Sequence, residues 1–419
     1  MSLTLLPFLI LIATTCSLSV IDYYPHNCSI YSYDDAFTIL KYNLHSLSSL
    51  ISSSSSDVIL LPEYGLTGPV IANIDQARWF STNLELTCPA FTLIKEIYSG
   101  FNKTIIFNLP IRFNTTGPVY NGAVALNCSL EITVKAIYLK ENLYGNEVKY
   151  FTRGNSKFND LNSCFKQKES TYCLAICFDL MFSNVYKRPA SVILAPVAWV
   201  NFAPFITASS TFLGLSQSHN TTIATASISG LESTGSVIAS NGNSLCQLNI
   251  PERNEGHGKL CEESDLLSRN GNIIAGKVLT SNPTPFPRNG LAVQRSGTYV
   301  VSSGSVKCVF DIENRNVESL YLVASDGHYN GLRAYICTLL PCFNQDERCF
   351  QETSLASNVN VELTMTTLSL NTSHVPIPLY SSFLQGLSLA FLKVNHGTYN
   401  IKSKPGDVFS SFGIMLNVV

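Results

Sequence analysis

Short, nearly uninterrupted apolar runs recur through the first two thirds of this chain, and each ends abruptly. Val58-Ile59-Leu60-Leu61 stops at Pro62-Glu63-Tyr64-Gly65. Lys103 to Leu109, Gly122 to Asn127, Ile132 to Tyr138, Thr171 to Ile176 and Ser191 to Ala195 are of the same kind, the last stopping at Pro196. A strand that is apolar on both faces must be covered on both, so such runs belong inside a layered structure. Gly122 to Asn127 and Ile132 to Tyr138 read as a pair.

The helices between them are fewer. Phe37, Leu40, Leu44, Leu47 and Ile51 recur at helical spacing and predict a helix from Tyr33 to Ser52, with Asp34 and Asp35 where carboxylates suit its N-terminus. Ser52 to Ser56 reads as its connection to the next strand. Leu180 to Pro189 reads as a second helix. Strand and helix alternation gives an α/β fold class. After the proline-rich segment from Ser281 to Gly290 the texture changes to strands, at Gly297 to Ser302, Ser305 to Phe310, Ser319 to Ala324, Leu332 to Leu339 and Val359 to Leu370, and the C-terminal FSSFGIMLNVV reads as a last strand. The expected partition is a leader at 1–19, an α/β domain at 20–289 and a mostly β domain at 290–419 carrying Cys308, Cys337, Cys342 and Cys349.

Composition narrows the function classes. Charged residues are 13% of the chain and the formal net charge is −2, so there is no basic excess to neutralise phosphates and nucleic-acid binding is not expected. The first residues, with an apolar run from Leu3 to Ala13 and small residues to Ser19, read as a secretory signal, too short for a span of about 20 apolar residues. Sequons begin at Asn27, Asn102, Asn114, Asn127, Asn220 and Asn371, acceptors for glycans in an exported, extracellular protein. Thirteen cysteines suit an oxidising compartment, although their pairing is not deducible from spacing. Membrane association and oligomeric state stay open.

Three residues sit at run ends where chemistry is often found. Cys177 follows Thr171 to Ile176 and precedes Phe178-Asp179, a place where a thiol can be presented for attack; local sequence alone favours a buried structural cysteine, or half of a disulfide with Cys164 or Cys173. Glu63 ends the Val58–Leu61 run and could be its base, or a solvated carboxylate. Lys140 follows Ile132 to Tyr138 and alone reads as a surface charge. A Cys/His pair is disfavoured: none of the later histidines has a strand-end setting, and His219 beside the Asn220 sequon reads as an exposed loop residue. No metal site is expected, since H-E-x-x-H and zinc-type Cys pairs are missing; Gly-rich phosphate loops and a G-x-S-x-G elbow are missing too.

Taken together, Glu63, Lys140 and Cys177, in that order, resemble the nitrilase superfamily, and within it the vanin and biotinidase family. The likeness is carried by Pro62-Glu63-Tyr64-Gly65, by Tyr120-Asn121-Gly122 through Lys140 to Asn142-Leu143-Tyr144, by Cys177-Phe178-Asp179-Leu180, by Pro196, Ala198-Trp199, Asn201 and Pro204, and by Thr234-Gly235-Ser236. Beyond the linker it continues in Ser325-Asp326-Gly327-His328 and Ile336-Cys337-Thr338-Leu339-Leu340-Pro341-Cys342. Tyr64 departs from the family's acidic residue, Val237 replaces a small residue, and Glu141 stands where an aromatic is typical and could pair with Lys140. The resemblance implies an α-β-β-α sandwich with a smaller β-rich base domain. It also implies an amidase acting on a small-molecule amide without a cofactor, in which Cys177 is the nucleophile, Glu63 the general base and acid, and Lys140 the oxyanion donor. Glu147 would be a further glutamate displaced by one residue, and Trp199, Asn201, Glu147 and Phe178 would line the substrate pocket, Trp199 reading equally as core. Lys140 and the turn dipole are expected to favour the thiolate. Pantetheine is the implied substrate and a biotinyl amide the rival. A catalytically silent glycoprotein and a disulfide-rich adhesion module are the readings from other classes.

Overall fold

A computed structural model describes residues 17–26, 28–69, 71–83, 89–200, 202–203, 208–228, 236–240, 243–248, 257–262, 282–283, 289–293, 295–314, 319–329, 332–342, 359–367, 375–382, 392–394, 398–402 and 409–418. Asn27, Asn201, Pro204, Thr234, Gly235, Cys349 and Asn371 lie outside the described residues. Elements are numbered along the chain.

The first sheet contains β1 (Leu18–Tyr23), β2 (Val58–Leu60), β3 (Thr82–Asn83), β4 (Thr104–Arg112), β5 (Tyr120–Cys128), β6 (Ile132–Leu139) and β14 (Gly258–Glu262), in the order β14-β1-β2-β4-β5-β6 with β3 beside β4. The second contains β7 (Cys164–Gln167), β8 (Ser170–Leu174), β9 (Val192–Val197), β11 (Thr222–Ser227), β12 (Ser236–Ser240) and β13 (Asn243–Leu248), in the order β13-β12-β11-β9-β8-β7. β1, β2 and β4 are parallel, as are β8, β9 and β11. Alternation along the strands sends one set of side chains to each layer. Val58, Leu60, Ile106, Ala123, Ala125 and Tyr138 join Leu174, Ile193 and Ala224 in one core between the sheets. Ile59, Leu61, Ile105, Phe107 and Val124 join the helices on the outer face of the first sheet in another. That double burial is why the runs carry so few charges, since each buried Leu, Ile or Phe contributes roughly 1.5–3 kcal/mol.

On that outer face lie α1 (Tyr33–Ser53), α2 (Ile74–Phe80) and α3 (Pro89–Tyr98). α1 starts at Ser32, whose hydroxyl accepts from the Asp35 N–H at 3.2 Å, and it buries Ala36, Ile39, Leu40, Leu44, Leu47 and Ile51. Phe37, counted on the apolar face from spacing, is only partly buried. Asn43 is buried among these apolar neighbours: its amide oxygen accepts from the Tyr23 hydroxyl and the His26 N–H, each at 2.8 Å, and its Nδ2 donates to the Leu66 carbonyl at 3.0 Å. Thus α1 holds β1 and the turn that follows Glu63. β1 starts inside the stretch read as a leader, and the Ser19 hydroxyl bonds Ser56 at 2.6 Å and Ser54 at 3.0 Å. α4 (Ser156–Asn162) packs against β6, and α5 (Ala208–His219) packs on β11 and β12.

Two expectations fail here. β9 does not stop at Pro196 but runs through it to Val197. The Leu194 carbonyl accepts from Ala175 on the β8 side. Pro196, two residues on, faces the same side, past the end of β8, where its missing N–H leaves no ladder bond unmade. Leu180 to Pro189 is not an α-helix: Cys177–Met181 and Ser183–Lys187 are separate 3-10 turns, broken by extended backbone at Phe182 and ended by extended backbone at Arg188, as expected for a residue before proline.

From Asn289 onward the described residues are strands in two sheets. β16 (Asn289–Val293), β19 (Ser319–Tyr329), β20 (Leu332–Cys342), β25 (Phe409–Val418) and β22 (Val375–Ser382) form one. β17 (Gly297–Ser303), β18 (Val306–Asn314), β21 (Val359–Thr367), β24 (Thr398–Lys402) and β23 (Leu392–Val394) form the other. Phe310, Leu322, Tyr335 and Leu363 fill a third core, and Cys308 pairs with Cys337 within it. The Ser281–Gly290 linker includes a short strand, β15 (Asn282–Pro283), which pairs with β10 (Phe202–Ala203). No helix among the described residues is long and apolar enough to cross a membrane.

Candidate active site

The C-terminal ends of β2, β6 and β8 bring Glu63, Lys140 and Cys177 together. β2 delivers Glu63 into a tight turn at 63–67. β6 ends one residue before Lys140, whose N–H donates to the Asn121 carbonyl at 2.9 Å and whose carbonyl accepts from Gly154 N–H at 2.7 Å. That second contact requires glycine, because a Cβ on residue 154 would lie 2.1 Å from the Leu139 carbonyl oxygen. Three residues after β8, Cys177 opens the Cys177–Met181 turn with φ 45, a left-handed conformation uncommon for a residue with a side chain.

Lys140 is 1% exposed and bridges two carboxylates. Its Nζ lies 2.8 Å from Glu63 Oε1 and 2.8 Å from Glu147 Oε2. Glu147 comes from the 3-10 turn Gly145–Lys149, so the structure adds it to the same cluster. Asn121 Nδ2 donates to Glu63 Oε1 at 2.9 Å and to Glu147 Oε1 at 3.0 Å. Asn121 is itself held by Asn108, whose Nδ2 donates to Asn121 Oδ1 at 2.7 Å. Glu63 Oε2 accepts from Ala198 N–H at 3.0 Å, and the Cys177 thiol hydrogen-bonds to the Glu63 carboxylate.

The electrostatics assign a proton state to each group. Burial raises Glu63, and the Glu147 charge adds to this; Lys140 opposes both and loses. Burial also works against the Lys140 ammonium, but the charges of Glu147 and Glu63 outweigh it and hold Lys140 protonated. Glu147 is penalised by burial, yet Lys140 and hydrogen bonds from Tyr144 N–H and the Tyr64 hydroxyl keep it below the ordinary glutamate range. For Cys177, burial and the Glu63 charge push the thiol well up against the pull of Lys140. The expected thiolate is therefore not the resting state. The sulfur keeps its proton, with Glu63 in place to take it.

Other expectations sort differently. Glu141 does not pair with Lys140; it points away and accepts from Ser156 Oγ at 2.6 Å and Asn159 Nδ2 at 2.8 Å. Cys177 is a free thiol, because Cys164 and Cys173 pair with each other across β7 and β8. Trp199 packs edge-on against Phe212 of α5 at 4.8 Å in the core. Phe178 contacts Tyr144 at 5.1 Å and Phe182 at 5.2 Å, both edge-on. His219 is not in an exposed loop: it ends α5, stacks on Tyr186 at 3.7 Å, and burial lowers its pKa to about 4. Asn102, Asn114 and Asn220 are exposed, whereas Asn127 is half-buried on β5 and donates to Ser129 Oγ at 3.2 Å.

Sequence reasoning gave no role to Asn108, Asn121 or Asp179. For the two asparagines a signal existed: amides inside otherwise apolar runs need buried partners. Asp179 is fully buried. Its Oδ1 accepts from Asn142 N–H at 2.7 Å and Asn142 Nδ2 at 2.8 Å, and its Oδ2 from Glu141 N–H at 3.3 Å. It thereby ties the Cys177–Met181 turn to the loop after Lys140. Burial raises its pKa from 3.8 to about 7. A carboxyl raised by folding adds stability that is complete below its unfolded pKa and lost as pH rises through the folded value. The stability of the wild type relative to Asp179→Asn should therefore fall between about pH 4 and pH 7, by at most roughly 4 kcal/mol. Thermal melts of both proteins across that range check it; parallel curves would show that Asp179 is ionised throughout.

No protein-family model matches the sequence, and no curated relative does. Among solved structures the chain is similar to Nit3 of Saccharomyces cerevisiae, a member of branch 10 of the nitrilase superfamily, with 13% identity and a TM-score of 0.45 over 61% of this chain and 94% of that one. It is also similar to a carbon-nitrogen hydrolase of Helicobacter pylori G27, with 12% identity and a TM-score of 0.42 over 60% of this chain and 91% of that one. An N-terminal amidase is similar at 22% identity and a TM-score of 0.33 over 47% of this chain and 50% of that one. At scores this low the likeness assigns no chemistry, which has to come from the cluster itself.

Proposed function

We propose that this protein is a carbon-nitrogen hydrolase of the nitrilase type that cleaves a small-molecule amide through a thioester on Cys177. One observation carries the reading: a thiol, a carboxylate that can accept its proton and a charged lysine converge from three strand ends in one buried cluster. Glu63 takes the Cys177 proton as sulfur attacks the carbonyl carbon, and the carbonyl electrons move onto oxygen. Lys140 and the Phe178 N–H stabilise that oxyanion, a contribution often among the largest in catalysis. Collapse breaks the C–N bond, and Glu63 gives its proton to the leaving nitrogen. Water, deprotonated by Glu63, then attacks the thioester; the acid leaves and Cys177 regains its proton.

The finer reading follows the sequence resemblance to the vanin and biotinidase family. Pantetheine is the favoured substrate, yielding pantothenate and cysteamine, with a biotinyl amide as the alternative. Residues 20–289 would form the catalytic domain and 290–419 the base domain. Export follows from the apolar leader and the sequons, with glycans favoured at the exposed Asn102, Asn114 and Asn220. We place the end of any removed leader ahead of Leu18, because Leu18 and Ser19 are built into β1.

Incubation with pantetheine and with biocytin, followed by intact-mass measurement, tests the proposal. The expected adduct is an acyl group on Cys177 from one of the two substrates. Glu63→Gln should form it at least about 100-fold more slowly, having lost the proton acceptor. Because burial raises Glu63, the wild-type rate should fall on the acid side at a pH above the ordinary glutamate value of about 4.3. Normal acylation of Glu63→Gln would remove Glu63 from the base role.

A further inference from the structure

Tyr64 directly follows the base, and its backbone is left-handed, with φ 58. In an extended strand two consecutive side chains point to opposite faces. Here both enter the same cluster: Glu63 reaches Lys140, and the Tyr64 hydroxyl donates to Glu147 Oε1. The peptide is fixed on both sides. Tyr64 N–H donates to Asn108 Oδ1 at 2.9 Å, and its carbonyl accepts from Gly68 N–H at 2.8 Å. A bulky residue held this way, with both backbone groups bonded, marks a conformation imposed by its surroundings.

With the phenol in place Glu147 has no acceptor capacity left. Its Oε1 receives Tyr64, Lys140 at 2.9 Å and Asn121 at 3.0 Å; its Oε2 receives Lys140 at 2.8 Å and Tyr144 N–H at 2.8 Å. A carboxylate surrounded by donors on both oxygens stays anionic and does not rotate. We propose that Tyr64 is a positioning residue whose phenol locks Glu147 as an anion, and so keeps Lys140 charged and fixed opposite Glu63. The titratable groups facing Glu147 are Lys140, Glu63, Tyr64, Tyr150 and Cys177. Of these, only Lys140 and Tyr64 donate to it through a hydrogen on a titratable side chain. The kinetic consequence rests on the hydrolase reading above; the ionisation of Glu147 does not.

The test is Tyr64→Phe, which keeps the ring and removes the donor. In protein labelled with 13C at glutamate carboxyls, the resonance missing from Glu147→Gln identifies Glu147. Its titration midpoint should move up in Tyr64→Phe by about half a pH unit or more. On the amide substrate, kcat should fall by about tenfold or more, while KM should change little. Tyr64→Asn suits the left-handed backbone but lacks the reach, so it should be as slow as Tyr64→Phe. An unmoved Glu147 midpoint, an unchanged kcat, or recovery of the rate in Tyr64→Asn would each overturn the proposal. If the wild type turns over no amide, the hydrolase reading falls, and the titration alone then decides the role of Tyr64.

Discussion

Replacing Cys177 with alanine is expected to abolish amide hydrolysis, by roughly 10⁴-fold or more, while the protein folds as before. The side chain lost is small, and its hydrogen bond goes to Glu63, whose carboxylate keeps Lys140, Asn121 and Ala198 N–H as partners. The variant should show an unchanged melting profile within about 1 kcal/mol and no acyl adduct. Purified Cys177→Ala turning over an amide at the wild-type rate would remove the sulfur from the mechanism.

The second large effect is at Lys140, where stability and catalysis separate. Lys140→Met leaves Glu63 and Glu147 buried with no bridging cation. Removing one partner of a buried ion pair typically costs about 3–5 kcal/mol, because the remaining charge has lost its compensation. Two carboxylates now face each other, so the loss should lie at the upper end. Adding Glu147→Gln removes one of those charges and should recover part of the stability. It should recover none of the turnover, which is expected to fall by at least about 100-fold for want of an oxyanion donor. Denaturant titration and substrate kinetics on the single and double variants measure both. Full activity in either protein would reassign Lys140 to structure alone.

Much of the fold was legible because burial on both faces leaves a plain mark. The runs at Val58–Leu61 and Thr171–Ile176 contain β2 and β8, whose mostly apolar residues are covered in both layers, and α1 follows from the spacing of Leu40, Leu44, Leu47 and Ile51. The site was legible only in combination. Glu63, Lys140 and Cys177 are separated by scores of residues, and the ordinary reading of each alone is a surface charge or a structural sulfur; their order suggested convergence, and strand ends supplied it. The turns around the site were less readable. Phe182 takes extended backbone in the middle of what looked helical, because its surroundings rather than its propensity decide it. His219 was misplaced by its neighbour: Asn220 is exposed, but the imidazole turns inward onto Tyr186. Asp179 stood within one residue of Cys177's neighbour Phe178 in sequence, yet its partners, Glu141 and Asn142, lie on another loop, and no local pattern links the two.

The Cys164–Cys173 bond has a consequence for how the protein matures. Cys173 lies on β8, just upstream of Cys177, close enough along the chain to capture it by exchange. Joined to Cys164 instead, it leaves Cys177 a free thiol, so oxidation can staple β7 to β8 and spare the sulfur that the proposed reaction needs reduced. Under the proposed mechanism, a cell that made this chain with Cys164 replaced would be expected to accumulate an inert form, with Cys177 trapped by Cys173.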